Sequence, residues 1–574
     1  MTEKIEVIYE RVDDIPLLIG LMKHLKMAEI LDEHLGHHGN HCGLSNGWLV
    51  VVWLAYIVSE GDHCKSHVED WVRKRRHMLK RLLGQPVRPV DFSDDRLGII
   101  LRRLSQDKVW VAVEMALWRS TVAVYEIEIS GVRLDSTTSY GYHEVKTGGV
   151  MQFGHSKDHR PDLPQLKLMA AAAEPAGHVL ACDVYAGQKA DDPLYLPLIR
   201  RVRQLLGRTG LLYTGDCKMA ALAIRADVAA EGDYYLTPLP LTGATVTEFE
   251  TWVTALVEGE QTAQLIWDEQ QLWGGGYEFE RSLTAWVGGQ QITWLERVQV
   301  VRSLALVSKQ SQHLAQRLAQ AETALWKLTP APGRGRRQYS QETALQEAMT
   351  QVLARAEVTG LLHVTWQREE QPQTRYIGPG RGSADRPTRT QVKTRYVITN
   401  IQRDEAAIQA RQYRLGWRAY ATNLPKTPCS LAWLVQHYRG GYCLERDFHL
   451  VKDKPLGISP LYVQLDSQII GLTHLLTLAL RLLTLVETQV RRALADTKQA
   501  LTGLYAGQPN RASNQPTATR LLKAIAQKQI TLSQIQIGAQ VYWHISPVSE
   551  LLKQVLAFLG LSVSLYTCLI ENST

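Results

Sequence analysis

Three acids, Asp135, Asp216 and Glu445, are placed where they could support metal-assisted phosphoryl transfer. That chemistry needs carboxylates converging on a pair of Mg²⁺ ions about 4 Å apart, which activate the attacking oxygen and stabilise the departing one. Hard cations take oxygen ligands, so the residues to look for are acids at the ends of strands and helices. Asp135 ends a predicted strand in Arg133-Leu-Asp-Ser-Thr-Thr, and Asp216 ends another in Tyr213-Thr-Gly-Asp. Either one alone reads as a turn or cap residue; their joint placement in one topology is what singles them out. Glu445 lies in the stretch from His437 to Lys452, read here as one helix. At about 100° per residue, Tyr438, Glu445, His449 and Lys452 then share a face.

The elements that must hold these acids follow from changes in periodicity. Residues 1–125 read as helical and include Trp71–Arg81, with six Lys/Arg in eleven residues, a segment suited to DNA phosphates or to a plain solvated face. Alternation begins at Val122–Ile129 and continues through Gly131–Tyr140, Gln165–Ala173 and His178–Tyr185, all read as strands. A helix over 193–206, a strand at 211–216, a helix over 220–230 and a strand at 233–237 come next. The order β-β-β-α-β-α-β is the topology of ribonuclease H-like nucleases. Residues 241–405 hold seven of the fifteen tryptophans and read as a separate strand-rich inserted domain, with Gly274-Gly-Gly-Tyr and Gly288-Gly-Gln-Gln as hairpin turns. Its two basic Gly/Pro-rich loops, near 333–337 and 379–387, could lie along a nucleic-acid backbone.

The expected fold class is therefore α/β and multidomain. It comprises a helical N-terminal segment (1–125), a ribonuclease H-like mixed sheet in two portions (126–240 and 406–500) around the 241–405 insertion, and a linker with a helical tail (501–574).

At this point the chain resembles an insertion-sequence DDE transposase, of the group whose third acid lies in a Tyr-x2-Arg-x3-Glu-x6-Lys signature. The four positions here are Tyr438, Gly441, Glu445 and Lys452. Glycine replaces the arginine, and Arg439 is the nearest substitute. Gly154-His-Ser-Lys-Asp-His-Arg-Pro-Asp-Leu-Pro-Gln, Gly471-Leu-Thr-His-Leu-Leu and Ser93-Asp-Asp-Arg-Leu-Gly also resemble segments of that group. The 81-residue and 229-residue gaps between the acids suit its strand-rich insertion. The resemblance implies cut-and-paste transposition with Asp135, Asp216 and Glu445 as catalytic metal ligands, using two Mg²⁺ ions for which Mn²⁺ can substitute. It implies DNA contacts by Tyr438 and Lys452, with the arginine's contact either taken over by Arg439 or absent; Lys157, His159 and Arg160 could bind phosphate or simply occupy a polar loop. The expected partners are double-stranded DNA, both terminal inverted repeats and target, and a second copy in a homodimer on paired ends. In relatives the insertion helps hold a DNA hairpin, partly by stacking an aromatic on an extruded base. Two rivals stand beside this reading: a ribonuclease H-like nuclease that never joins strands, and a catalytically silent DNA-binding protein derived from a transposase.

Composition agrees with a large globular chain. The 574 residues are 45% hydrophobic and 21% charged, with a net charge of +7, a mild excess that permits a nucleic-acid partner without requiring one. Seven dispersed cysteines without a CxxC pair suit a reducing compartment, and a charged N-terminus without an apolar run places the protein in the cytoplasm. The apolar run Ile469–Val486 is interrupted by His474 and Arg481, which marks a buried core helix and no membrane partner. The run His34, His37, His38, His41 and Cys42, with His63 and Cys64, is read as structural rather than as a zinc site. No phosphate-binding Gly-x4-Gly-Lys-Ser/Thr loop occurs, so no ATP requirement is implied.

Overall fold

Buried strands with alternating faces build a nine-stranded mixed sheet between two apolar cores. The computed structural model describes residues 5–36, 43–333, 335–379, 385, 387–538 and 540–570. The sheet strands, in chain order, are β1 (Gly131–Tyr140), β2 (Gln165–Glu174), β3 (His178–Ala186), β4 (Leu212–Thr214), β5 (Tyr234–Pro238), β6 (Gln264–Asp268), β7 (Gln271–Val287), β8 (Gln290–Ser303) and β9 (Trp417–Thr422). Their spatial order is β3-β2-β1-β4-β5-β9-β8-β7-β6. β1, β2 and β3 are mutually antiparallel, β1, β4 and β5 run parallel, and the remaining four continue the sheet antiparallel.

β2 shows how the sequence builds both cores. Every residue of Gln165–Glu174 is buried. Leu166, Leu168, Ala170 and Ala172 face one core while Met169, Ala171 and Ala173 face the other, the period-2 consequence of the pleat. The first core is made largely by the N-terminal helices and the helix Asp466–Thr497, and the second by the helices Asp192–Leu206 and Leu222–Ala230. The 466–497 helix is apolar and long enough to cross a membrane, but its most apolar window is 94% buried inside the protein.

His474 and Arg481, the residues that interrupt that helix's apolar run, clamp it to the rest of the chain. The His474 ring stacks on Trp110 at 4.1 Å and 3°, and its Nδ1 lies 2.8 Å from the Leu104 carbonyl. Trp110 in turn donates to the Cys182 carbonyl of β3 at 3.0 Å. The Arg481 guanidinium donates to Glu114 at 2.7 Å, and Arg201 closes on the other oxygen of the same carboxylate. These charges are almost fully enclosed, so removing one partner strands the other in a low-dielectric interior. We expect Arg481→Ala to lower stability by about 3–5 kcal/mol, read from urea denaturation; a change below about 1 kcal/mol would mean that Arg201 alone satisfies Glu114.

Several elements differ from the sequence-based expectations. Val122–Tyr125 is the last turn of the helix Asp107–Tyr125, because the buried residues Val113, Leu117, Thr121 and Tyr125 prolong the helical stripe across the β-branched run. Residues 274–276 lie inside β7 rather than in a turn; a Cβ at 274 or 276 would strike the carbonyls of Arg302 or Val300 on β8. The hairpin at 288–289 is present, with both glycines at positive φ. The 241–405 segment is not one separate unit: β6–β8 extend the central sheet, whereas helices Leu304–Leu328 and Glu342–Arg355 and a two-stranded ribbon enclose a core of their own. The C-terminal tail is not wholly helical. Thr531–Ile537 and Gln540–Ile545 form a hairpin, and the N-terminal strand Ile5–Arg11 pairs with it.

Candidate active site

The site is assembled where β4 ends beside the middle of β1: Asp216 follows Leu212–Thr214, whereas Asp135, expected at a strand end, lies inside β1, which pairing with β2 carries on to Tyr140. β1 and β4 pair in the register Val132↔Tyr213 and Arg133↔Thr214, so continuing two residues onward brings Asp135 level with Asp216. Val132 and Leu134 point into one core, and alternation turns Arg133 and Asp135 to the opposite face. Asp216 is held by three contacts. The Tyr195 hydroxyl donates to its Oδ1 at 2.6 Å, the Lys218 amide donates to the same oxygen at 2.9 Å, and Thr237 donates to its carbonyl at 2.7 Å.

Asp135 is only partly enclosed, yet its carboxyl is pushed up to about 6. Burial is the chief cause, and the charges of Asp216 and Glu445 add to it against the opposing pull of Lys157 and the Ser136 amide. The three acids therefore share one electrostatic neighbourhood. Among the described residues, however, no three His, Cys, Asp or Glu side chains converge tightly enough to form a ready cation site. The donor set, carboxylate oxygens with Asp135 raised by burial and, to a smaller degree, by the other two acids, has the chemistry that a hard divalent cation compensates.

The Lys157 ammonium lies 3.6 Å from Asp135 Oδ1 and donates to the Ser136 carbonyl at 2.6 Å. It lies inside the acid cluster rather than on an outer DNA-facing loop. Its neighbour Asp158 accepts from Lys452 at 2.6 Å, so Lys452 ties the third-acid helix to the 157–160 loop. His159 adopts φ 57° in that loop. Arg160 is turned outward, doubly bonded to Asp162 at 2.8 and 2.7 Å and lying over Tyr140.

Loss of the Lys157 charge removes the cationic influence that favours ionised Asp135. A carboxylate required as the anion is lost as pH falls through its pKa, so activity carried by Asp135 should decline below about pH 6. In Lys157→Met that acid limb should move to higher pH, by on the order of one unit. A pH–rate profile for DNA cleavage checks this, and an unmoved or downward-shifted limb would separate Lys157 from the titration.

The third-acid region is two helices, not one. Leu431–Arg439 ends at Gly440, and Tyr442–Lys452 begins after Gly441, so Tyr438 does not share a helical face with Glu445 and Lys452. Two consecutive glycines favour such a break, and Arg133 supplies the steric reason. A Cβ at 441 would fall inside the Arg133 guanidinium. That guanidinium donates to Glu174 Oε1 at 2.7 Å and to the His437 and Tyr438 carbonyls at 3.0 and 3.4 Å. Glu174, which burial alone would raise, is held below the ordinary carboxylate range by His437 and Arg133. An arginine from β1 thus fills the space beside the signature glycine, whereas Arg439 is directed to Asp268 at 2.7 Å and to the Trp273 ring. Glu445 is exposed in the first turn of its helix, where the helix dipole favours a carboxylate.

Glu445, Arg133, Gly441, Tyr438 and Arg439 line one wall of a cleft of about 810 Å³, with Arg418, Lys309 and Trp273 on the others. The leading edge of the 431–439 helix is seated by Leu431, Leu434 and Val435 on Leu212, Leu236, Ile266 and Tyr420 of the sheet. Sequence reasoning missed Arg133, Arg418, Trp273 and Lys309. For Arg133 a signal existed, since it stands two residues before Asp135 and must share its face; the others come from distant segments. Of the His/Cys run, His37, His38, His41 and Cys42 lie outside the described residues, as do positions 334, 380–384 and 386 of the two basic loops.

No family model matches the chain, and no curated protein matches it. Among solved structures, a cryo-EM structure of a piggyBac transposase synaptic complex with hairpin DNA is similar at a TM-score of 0.32 and 7% identity, over 99% of this chain and 88% of that one.

Proposed function

We propose that the chain is a DNA transposase that cuts its element at the terminal inverted repeats and joins the freed ends to target DNA. The observation that carries this reading is the placement of Asp135 within one strand level with Asp216 just past the end of its parallel neighbour, with Asp135 sensing both Asp216 and Glu445. Three antiparallel strands followed by two parallel ones, in the order β3-β2-β1-β4-β5, suit a ribonuclease H-like core. Asp135, Asp216 and Glu445 are the residues to hold two Mg²⁺ ions, and Mn²⁺ is the expected substitute. Ions bound there would supply Lewis-acid activation of the attacking oxygen and stabilisation of the departing one.

The remaining residues position rather than transfer. Tyr195 and the Lys218 amide orient Asp216, and Lys157 keeps Asp135 ionised. Arg418 and Lys309 line the cleft with cations suited to DNA phosphates, while Trp273 offers a face on which a base can stack. A homodimer on paired ends follows from the same reading, since each active site acts on one of two ends.

The test is strand transfer. Purified protein with Mg²⁺ and a pre-cut element end bearing a free 3′-hydroxyl should yield products joined to a target plasmid. Cleavage of intact ends without joining would favour a nuclease, and binding with neither activity would favour a silent DNA-binding protein.

A further inference from the structure

The ribbon formed by Leu362–Tyr376 and Thr388–Arg403 is a two-stranded sheet of its own. Its inner half is anchored: Leu362 and Ile398 are buried, with Val364, Trp366 and Tyr396 packed on the same small core. Its outer half is not, for residues 371–376 and 388–393 are exposed on both faces. A bare two-stranded ribbon has little stability in water, so its side chains are placed there at a cost.

The register sorts those side chains by chemistry. Gln371 faces Lys393, Gln373 faces Gln391 and Arg375 faces Arg389, and directly opposed residues share a face. One face is therefore three cations and three amides. The other carries Pro372 opposite Val392, Thr374 opposite Thr390 and Tyr376 opposite Thr388, with no charge. Two arginines directly opposed are mutually repulsive. The inner half balances its arginines, Arg368 with Glu370, Arg395 with Glu369 and Arg403 with Glu322. Arg375, Arg389 and Lys393 have no acidic partner among the described residues.

We propose that the outer half of this ribbon is a DNA-contacting arm that lays its Arg/Lys/Gln face on duplex DNA. Opposed cations without acids are relieved by phosphates. Arginine and glutamine are the side chains that read guanine and adenine edges, and the major groove admits a two-stranded ribbon. The face lacks the apolar centre that a protein interface would use. The arm is built on a core separate from those beneath the acids, so it adds a DNA contact outside the active-site cleft. The inference rests on the proposed function only in taking DNA as the substrate. Residues 380–384 and 386, between the strands, form no part of it.

The test uses the full chain and a triple variant, Arg375→Gln/Arg389→Gln/Lys393→Gln, whose changes are solvent-exposed. Binding to a random-sequence duplex and to the duplex flanking the gene is measured by fluorescence anisotropy from about 50 to about 200 mM salt, the range over which counterion release is read. The variant should lose on the order of tenfold or more in affinity at the low-salt end, and its log–log salt slope should be shallower by about 2–3. Thr374→Ala/Thr390→Ala, on the uncharged face, should leave both unchanged. An unchanged slope in the triple variant, with the intact chain binding normally, would overturn the arm and leave the transposase reading standing. If the intact chain binds neither duplex, both fall. A change in sedimentation rather than in DNA binding would assign the face to a second copy and also overturn the proposal.

Discussion

Asp135→Asn and Asp216→Asn should each reduce metal-dependent DNA cleavage by at least about a thousandfold, equivalent to roughly 4 kcal/mol of lost transition-state stabilisation. Both substitutions keep side-chain shape and remove a charged oxygen donor. Asn at 216 can still accept from Tyr195 and Lys218, whose bonds both go to one oxygen, so the local structure should survive. Asn at 135 removes a carboxyl already pushed up to about 6 and should slightly relieve the repulsion among the acids. Thermal midpoints close to that of the intact protein would therefore accompany the activity loss. Glu445→Gln lies on an exposed first turn and should behave likewise. Gel-based cleavage of an end-bearing duplex with Mg²⁺ is the measurement. Cleavage within tenfold of the intact protein in any of the three would remove that acid from the catalytic set.

Gly441→Arg, which would complete the Tyr-x2-Arg-x3-Glu-x6-Lys pattern on paper, should inactivate the protein rather than improve it. Any side chain at 441 enters the volume of the Arg133 guanidinium. Overpacking of this kind costs about 1–3 kcal/mol. Displacing Arg133 also takes the principal cation from Glu174, whose side chain is only 8% exposed, leaving His437 at 3.1 Å as its remaining ion-pair partner. Breaking an enclosed pair by removing one member costs about 3–5 kcal/mol, so the combined loss should approach the upper end of that range. The 437–445 segment would shift with it, and Glu445 with the segment. A double-mutant cycle isolates the cause: Gly441→Ala and Arg133→Ala should be non-additive by about 1–3 kcal/mol, because the second change vacates the space that the first invades. Additive losses, or a Gly441→Arg variant with unaltered denaturation and cleavage, would show that the two residues do not compete. The sequence change at 441 is thus paired with an arginine on β1, and the nearest basic residue, Arg439, is occupied elsewhere by Asp268 and Trp273.

How far the sequence could be read depended on how local each signal was. Strand alternation in Gly131–Tyr140 and Gln165–Glu174 comes from side chains a few positions apart, where the period of 2 is set by the backbone itself; the reading of Asp135 as a strand-ending residue failed, because pairing with β2 carries β1 on to Tyr140. The β-β-β-α-β-α-β element order from β1 to β5 was legible for the same reason. At Val122–Tyr125 the local signal misled, since β-branched residues satisfy a strand pattern equally well when a helix carries them into a core.

The pairing of Ile5–Arg11 with Thr531–Ile537 joins the two ends of the chain and leaves no mark in either segment alone. The same holds for β6–β8 joining the central sheet through β9, and for Lys157 turning inward to Asp135. Candidate acids, strand faces and element order are consequences of neighbouring residues and the backbone's fixed geometry. Which guanidinium fills the space at Gly441, which lysine enters the acid cluster and which strands share an edge depend on surfaces that are not neighbours along the chain. Those surfaces meet only when burial of the whole chain brings them together.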